Sequence, residues 1–421
     1  MCRPLTITVL LLCLLGGCRD DLELSEPEQQ SALQRSLQFA TSQPHYLRPV
    51  NSGGIPAGLP DLKASTCGAC HQEIYQEWRI STHARAYLDD PQFIAELNKP
   101  REGDSDVRWM CHNCHTPLRE QQQQLVTGLH AGKLDRAVYE VNPSFDHELQ
   151  KEAVTCAACH VRDGVVLGPF GNSDAPHATR KSEELLSPAL CTACHQAQAH
   201  FEDLALACAF DTGAEFEKSP YAAEGFTCQQ CHMPKQQRPL VGGGNPRPTR
   251  RHWFGGSMIA KQPVFEEEIA AIRPHYPEGL TLFWKDLPKE LIAGSANKLR
   301  LVAYNEHAGH SLPTGDPERF ILINASIKNA KGEVLSQVSE RIGARWQWSP
   351  QPRKLSDNRL APRERRIYQL SFTAPQKGAL RLELEASKWR INDANLDYHQ
   401  LRGKTVPGRV FFRSSQQLKL R

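Results

Sequence analysis

The sequence predicts an α-helical, loop-rich first part followed by an all-β, sandwich-like second part. Two observations support this division. The motif Cys-x-x-Cys-His occurs five times between residues 67 and 232, at intervals of 44, 45, 35 and 37 residues, and the segments between the copies have helical or irregular patterns. From residue 298 onward, apolar and polar residues alternate with the period of two that is typical of half-buried strands.

Each copy of the motif has the residues that attach a haem c covalently. Two thiols add to the vinyl groups of one haem, and the histidine after the second thiol ligates the iron from the proximal side. The predicted thioether cysteines are Cys67, Cys70, Cys111, Cys114, Cys156, Cys159, Cys191, Cys194, Cys228 and Cys231. The predicted proximal ligands are His71, His115, His160, His195 and His232. Zinc sites and redox disulfides also use Cys-x-x-Cys pairs, but neither needs a histidine directly after each pair. We therefore predict five haem c groups.

The first 60 residues predict export and attachment to a membrane. Residues 1–17 resemble a signal peptide, with Arg3 at the charged end and an apolar run over residues 5–15. Leu-Gly-Gly-Cys18 at its end resembles a bacterial lipobox, which would make Cys18 the lipidated first residue of the mature chain. The alternatives are cleavage near Gly17 without lipidation and an uncleaved anchor. Residues 18–60 are rich in Glu, Gln, Ser, Pro and Gly, so we expect a tether with little structure.

The lipobox and the haem c motifs together predict where the protein is located in the cell. Several acyl chains on one cysteine give stable membrane anchoring, and haem c is attached on the extracytoplasmic side. We expect a lipid-anchored protein on the periplasmic side of a bacterial cell envelope. No later stretch has the ~20 consecutive apolar residues that a membrane-spanning helix needs.

Residues 61–260 are predicted to form the pentahaem cytochrome domain. Its clearest helix follows the first motif, where His71, Ile74, Tyr75 and Trp78 share one face. If this helix continues to His83, that histidine lies about 18 Å along the axis from His71. It would then have to ligate a different haem.

Residues 261–297 are predicted to be a bridge with a short helix at Glu266–Ile272. Residues 298–421 are predicted to be the β domain, with five or six strands and no helical pattern. Alternation is clear at Leu380, Leu382 and Leu384, and residues 329–333 form a plausible turn between strands. The β domain has no cysteine, so it cannot attach a haem covalently.

Four histidines outside the motifs have settings that suit a distal iron ligand: His83, His177, His252 and His310. His310 lies in a loop of Gly and Pro residues early in the β domain, and we hypothesise that it ligates a haem across the domain boundary. A solvent-facing helix histidine is the ordinary alternative for His83. The fifth distal ligand is unassigned, with His130, His147 and His200 as candidates and His307 as a substitute for His310. The basic cluster Arg247, Arg250 and Arg251 could pair with haem propionates.

Several segments resemble a known group, the multihaem c-type cytochrome superfamily that includes the nitrifiers' tetrahaem cytochrome, hydroxylamine oxidoreductase and octahaem tetrathionate reductase. The resemblance covers roughly residues 60–330. It rests on the residues Trp78-Arg-Ile-Ser-Thr-His83-Ala, Gly164-Val-Val-Leu-Gly-Pro169, Ser219-Pro-Tyr-Ala222, His252-Trp-Phe-Gly255 and Gly309-His310-Ser-Leu-Pro-Thr-Gly315, together with the third and fifth motifs. It implies that His83, His177, His252 and His310 are distal ligands. Pentahaem nitrite reductases replace one motif histidine by lysine, whereas all five motifs here end in histidine.

The net charge of the haem-loaded protein and the predicted iron ligands limit the possible classes of function. Five haems with ionised propionates would change the formal charge of +3 to about −2 when oxidised and about −7 when reduced, which leaves no basic field for nucleic acid. Irons with two histidine ligands have no open position and move electrons without binding substrate. We therefore expect an electron carrier between a membrane-linked redox donor and a terminal acceptor. The alternative is a reductase or oxidase of a small nitrogen or sulfur compound at one five-coordinate haem. The β domain could also bind a redox partner.

Overall fold

A computed structural model describes residues 25–99, 105–171, 174–201, 206–348 and 350–421. The predicted signal peptide at residues 1–17 and the predicted lipidation site at Cys18 lie outside the described residues. None of the helices in these ranges is long and apolar enough to cross a membrane.

The first part of the chain contains short helices joined by long loops. The helices up to residue 272 are α1 (Glu26–Thr41), α2 (Ala64–Gly68), α3 (Gln72–Arg79), α4 (Pro91–Leu97), α5 (Arg108–His115), α6 (His147–Lys151), α7 (Cys156–His160), α8 (Pro188–His195), α9 (Thr212–Glu217), α10 (Pro220–Ala223), α11 (Cys228–His232) and α12 (Glu266–Ile272). The last of these has the bounds expected for the helix of the bridge.

This part is less purely helical than the sequence predicts, because four small sheets lie among the helices. Their strands are β1 (Gln124–Leu129) with β2 (Ala137–Val141), β3 (Val161–Arg162) with β4 (Val165–Gly168) and β5 (Thr179–Lys181), β6 (Ala197–Phe201) with β7 (Leu206–Phe210), and β8 (Lys235–Pro239) with β9 (Pro246–Arg250). These strands have two to six residues. A run of that length is too short for a period of two to stand out from a loop.

The expectation of little structure in residues 18–60 is wrong from Glu26 onward, where α1 begins. Ser25 and Glu28 form a capping box at its N-terminus, and Arg35 donates to Glu140 of β2 at 2.9 Å. The buried side of α1 consists of Ala32, Ser36 and Ala40. Because these side chains are small, the buried side of the helix does not stand out as a stripe of large apolar residues in the sequence.

The second part of the chain is a β-sandwich. Its strands are β10 (Leu280–Lys285), β11 (Glu290–Leu291), β12 (Ala296–Asn305), β13 (Phe320–Lys328), β14 (Val334–Ile342), β15 (Ala344–Gln347), β16 (Arg353–Asp357), β17 (Arg365–Thr373), β18 (Leu380–Trp389) and β19 (Gly408–Leu420). A three-stranded sheet has the order β10-β12-β17, and a five-stranded sheet has the order β11-β19-β18-β13-β14. β15 and β16 form a separate hairpin.

Side chains from both sheets form one hydrophobic core. Leu301 on β12 and Leu370 on β17 meet Ile323 on β13 and Leu382 on β18, and all four are at most 1% exposed. The turn between β13 and β14 is the predicted one, with the Asn329 side chain accepting from the backbone N–H groups of Lys331 and Glu333.

Two features of the sandwich differ from expectation. β10 and β11 lie within residues 261–297, the range predicted to be a bridge, and pair with the two sheets. A helix, α13 (Asp393–Tyr398), also interrupts the strands between β18 and β19. It begins at an N-cap, where the Asn392 side chain accepts from the backbone N–H of Asn395 at 2.9 Å.

Candidate haem-binding sites

Each motif folds into a short helix that brings its two cysteines and its histidine to one side. Four motifs lie within or at the ends of α5, α7, α8 and α11. The first begins at the end of α2 and continues as a turn, with the His71 N–H donating to the Cys67 carbonyl at 2.9 Å. Spacings of three and four residues place side chains on the same helix face, so each motif can present two thiols and one imidazole to the same ring.

All five motifs face one cavity of about 2870 Å³, and their ten cysteines and five histidines all line it. His83, His177, His252 and His310 line the same cavity. A pocket for a single drug-sized ligand has a volume of about 300–1,000 Å³, so this space has room for several large cofactors. The cavity therefore takes the place that a hydrophobic core would have in the first part of the chain.

Cysteines of different motifs approach each other in pairs. Cys67 lies close to Cys156, Cys114 to Cys194, and Cys191 to Cys228, and each thiol shifts the pKa of its neighbour. All cysteines within the described ranges are free, and no three His, Cys, Asp or Glu side chains of those ranges converge as a zinc ion would require. Thioether sulfurs at these positions would bring the porphyrin edges of the first and third, second and fourth, and fourth and fifth motifs into contact.

The orientation of the motif histidines suits iron ligation. The Nδ1 atoms of His71 and His160 each lie 2.9 Å from a backbone carbonyl oxygen, those of Leu240 and Leu167. His115 and His232 make the same contact with the carbonyls of Ala86 and Gly255. Because a carbonyl can only accept, Nδ1 carries the proton and Nε2 is left with its lone pair toward the cavity. This is the usual arrangement of a histidine that ligates a metal.

Three histidine pairs have the separation that a shared iron requires. The ring centroids of His195 and His83, of His160 and His252, and of His232 and His310 are each 6.2 Å apart. With metal–nitrogen bonds of about 2 Å and each ring centroid about 1.15 Å behind its nitrogen, two axial imidazoles lie about 6.3 Å apart. The structure thus brings three of the predicted distal ligands opposite three predicted proximal ligands.

These imidazoles are neutral at physiological pH, which is the form that ligates metals. Burial lowers the pKa of His83 to about 3 and the pKa of His195 to about 4. Burial likewise lowers the pKa of His252 and of His310 to about 4. Neighbouring histidines lower all of these values further.

The chain between His71 and His83 does not form the single helix that the sequence suggested. His83 still faces a histidine of a different motif. Helix α3 ends at Arg79 instead of continuing, and the chain turns at Ser81, whose N–H donates to the Trp78 carbonyl at 2.8 Å. The distance of about 18 Å along one helix axis is therefore wrong. His83 nevertheless lies opposite His195 of the fourth motif and packs against Phe254 at a centroid distance of 4.3 Å.

His310 reaches the cytochrome part from the loop between β12 and β13. Glu215 on α9 holds this loop, because its carboxylate accepts from the Ser311 N–H at 3.2 Å and from the Thr314 hydroxyl at 2.7 Å. The Asn305 side chain donates to the His310 carbonyl at 3.0 Å. A Cβ on Gly309 would lie 3.0 Å from the Phe216 ring, which is tighter than an ordinary contact, so glycine favours this close approach. The loop is held from both domains.

His177 and His115 have no such ring pair among the described residues. His177 lines the cavity, and its Nδ1 is buried without a hydrogen-bond partner. His177 therefore stays a candidate distal ligand that is not assigned to a particular motif. His115 stacks on Phe93 at a centroid distance of 3.7 Å instead of facing another imidazole.

Two of the other candidates for the fifth distal ligand are exposed. The side chain of His147 is 66% exposed, and His130 is also exposed. His307, the substitute for His310, lines the cavity but is 45% exposed. The His200 side chain lies outside the described part of the structure. Two members of the cation cluster expected near propionates, Arg247 and Arg250, line the cavity. Arg250 also donates to the Gln229 carbonyl at 2.9 Å, whereas Arg251 pairs with Glu77.

Sequence reasoning missed Glu77, which organises the third site. Its carboxylate accepts from Arg238 at 2.7 and 3.0 Å, from Arg251, and from the His252 backbone N–H at 2.9 Å. Glu77 is 5% exposed. No sequence signal marks it, because its partners lie more than 150 residues further along the chain.

Comparisons with known proteins give one family match and several structural matches. Residues 66–161, which contain the first three motifs, match the model of the family described as cytochrome c554 and c-prime. The structure is similar to that of a penta-haem cytochrome c552 from Thermochromatium tepidum, with 19% sequence identity, a TM-score of 0.57, and coverage of 86% of this chain and 100% of that chain. The CARDB domain of the PF1109 protein from Pyrococcus furiosus matches with 11% identity and a TM-score of 0.17 over 34% of this chain and 85% of that chain. No curated protein matches the sequence.

The family match and the shared fold support a multihaem c-type cytochrome that binds haem c. The narrower resemblance to the nitrifiers' tetrahaem cytochrome, hydroxylamine oxidoreductase and octahaem tetrathionate reductase stays a prediction.

Proposed function

We propose that this chain is a pentahaem c-type cytochrome that carries electrons between a membrane-linked donor and a terminal redox acceptor. The observation that carries the proposal is the set of three histidine pairs with centroids 6.2 Å apart. An iron bound on both sides has no position for a substrate, so its chemistry is limited to gaining and losing an electron. With His177 as a further distal ligand, four haems would be of this kind.

The arrangement of the motifs supports conduction through the protein. Close thiol pairs connect the first motif with the third, the second with the fourth, and the fourth with the fifth. In addition, Cys159 of the third motif lies close to Cys194 of the fourth motif. Cys194 contributes to the raised pKa of Cys159, although burial is the larger cause. All five sites then form one connected set in which the fourth has three neighbours.

The proposed location follows from the N-terminal sequence. Cys18 would be lipidated after removal of residues 1–17, which holds the cytochrome on the periplasmic side of a bacterial envelope membrane. The electron donor and acceptor would be proteins that meet it there.

The second motif favours an additional candidate function. Its histidine, His115, faces no second imidazole in the described part of the chain and stacks on Phe93. A haem with this open position could bind a small nitrogen or sulfur compound, and the chain would then be a reductase or oxidase. Lys261, which lines the same cavity, is a cation that could stabilise developing negative charge.

Two measurements on the purified holoprotein test the proposal. Intact mass should exceed that of the mature polypeptide by five haems, and low-temperature electron paramagnetic resonance of the oxidised protein should show low-spin haem. His83→Ala, His252→Ala and His310→Ala should each convert one haem to high spin, whereas the exposed-site variant His147→Ala should convert none. A mass without five haems, or three histidine variants that stay fully low-spin, would reject the carrier assignment. One high-spin haem in the wild type would favour the enzyme.

A further inference from the structure

A cluster of buried charges lies where the β domain meets the cytochrome part. Asp90 is 3% exposed and accepts from Arg390 at 2.9 Å and from Lys261. Arg319, which directly precedes β13, lines the same cavity as these residues. Its guanidinium makes one hydrogen bond, to the Thr314 carbonyl at 3.3 Å. Within the described ranges it has no carboxylate within ion-pairing distance.

The cluster has more positive than negative charge. Lys261, Arg319 and Arg390 are three cations, and Asp90 is the carboxylate that pairs with two of them. Asp316 and Glu318 are the other acids at this junction. Burial raises the pKa of Glu318 to about 8, which favours its neutral form. Asp316 lies next to Arg319, but it accepts from the Glu318 N–H and the Gln92 amide instead of forming an ion pair in the described structure. Burial raises the pKa of Asp316, which favours its neutral form. Burying an unbalanced charge is costly unless an anion accompanies it.

The position of Arg319 shows where such an anion would be. Arg319 lines the cavity together with His195 and His310. Its guanidinium donates to the carbonyl of Thr314, in the loop that contains His310. His195 and His310 belong to the predicted fourth and fifth haem sites, so Arg319 lies at the cavity beside the His310 loop, on the side formed by the β domain.

We propose that Arg319 binds a propionate of one of these two haems, with Lys261 and Arg390 completing a cationic site for it. This inference rests on the proposed function. The planar guanidinium can form two parallel hydrogen bonds to a carboxylate, which an ammonium group cannot. The β domain would then contribute both an iron ligand, His310, and a propionate-binding cation. Because reduction adds one electron to the haem, a fixed cation beside the propionate raises the reduction potential of that haem.

The test is a spectroscopic redox titration of the full, haem-loaded protein and its variants. Arg319→Gln should lower the reduction equilibrium constant of one haem at least tenfold, which is about 59 mV for a one-electron couple. Arg319→Lys keeps the charge and should cause a smaller fall in the same haem. Arg300→Gln is the matched control, because Arg300 is exposed on β12 and pairs with Asp286. It should leave all potentials unchanged.

The outcomes separate this inference from the proposed function. If the protein contains five haems but Arg319→Gln and Arg319→Lys titrate like the wild type, or Arg300→Gln gives the same shift, the inference is wrong and the function stands. If Arg319→Gln makes a haem high-spin, Arg319 acts on ligand position and the inference is again wrong. If Arg319→Gln cannot be isolated, Arg319→Lys decides alone, with a lowered potential as support and an unchanged one as refutation. A wild type without haem would reject the function itself.

Discussion

At the scale of single residues, the haem sites depend on polar groups that orient the ligands as much as on the ligands themselves. The His310 ring has its Nδ1 3.0 Å from the Ser311 carbonyl, and the His252 ring has its Nδ1 2.9 Å from the Arg250 carbonyl. These contacts direct Nε2 at the iron position before any iron binds. Glu77 adds a second level of control by holding the backbone of His252.

Glu77→Gln should destabilise the protein strongly. The amide cannot neutralise Arg238, whose side chain is 2% exposed, so a buried cation is left unpaired. We expect the free energy of unfolding to fall by about 3–5 kcal/mol, measured by denaturant unfolding of the holoprotein. Glu267→Gln removes an exposed glutamate and should change the stability by less than about 0.5 kcal/mol. Equal effects of the two substitutions would show that the ion pair contributes little.

At the scale of elements, β13 connects the stability of the sandwich to the haem sites. Its apolar residues Ile321, Ile323 and Ile327 lie in the core of the sandwich, and the loop that precedes it contains His310 and Arg319. Hydrogen bonds between Leu312 and Leu360, at 2.9 and 3.0 Å, hold that loop to the sandwich. A loose β13 would therefore loosen His310, the distal ligand that we propose for the fifth motif.

Ile323→Ala should lower the free energy of unfolding by about 2–5 kcal/mol, because Ile323 is fully buried and its loss leaves a cavity. Ile367→Ala on β17 is the matched control. That side chain is 51% exposed, so we expect a loss below about 1 kcal/mol. Thermal unfolding by circular dichroism measures both. If Ile323→Ala is no more destabilising than Ile367→Ala, β13 is not the centre of the sandwich core.

At the scale of the whole molecule, the junction of the two parts holds ionisable groups away from water. Glu318 lies there between Asp316, Glu96 of α4, and Asn395 and Trp348 of the β domain. Burial raises the pKa of Glu318 to about 8, and repulsion from Asp316 and Glu96 adds to this effect. In the unfolded chain the pKa of a glutamate is about 4.3.

This difference makes the stability depend on pH in a defined direction. A pKa raised by folding means that the protonated carboxyl is favoured in the folded state, so its contribution is full below about pH 4 and is lost as the pH rises through about 8. We expect the unfolding temperature to fall between about pH 5 and pH 8, and Glu318→Gln, which keeps a neutral group, to reduce this fall. Glu333→Gln in the exposed turn before β14 should not change the slope. An unchanged slope in Glu318→Gln would contradict the assignment.

The cofactor chemistry of this protein was determined by the sequence itself. Two thiols and an imidazole must lie three and four residues apart to hold one haem, and five such spacings are visible without any fold. The alternation of Leu380, Leu382 and Leu384 similarly determines a strand, because the period of two is a local property of extended backbone. By contrast, α1 and the short strands β3 to β9 left too weak a local pattern to be predicted.

Only the tertiary structure decided which histidine faces which. His83 meets His195 and His310 meets His232 because segments from distant parts of the chain converge on one cavity, with the His310 loop held by Glu215 and Asn305. The roles of Glu77 and Arg319 could likewise be recognised only in the folded structure, because charge pairing depends on distance in space and on burial. The spacing of residues along the sequence determines local covalent geometry, whereas long-range packing and desolvation are properties of the folded chain.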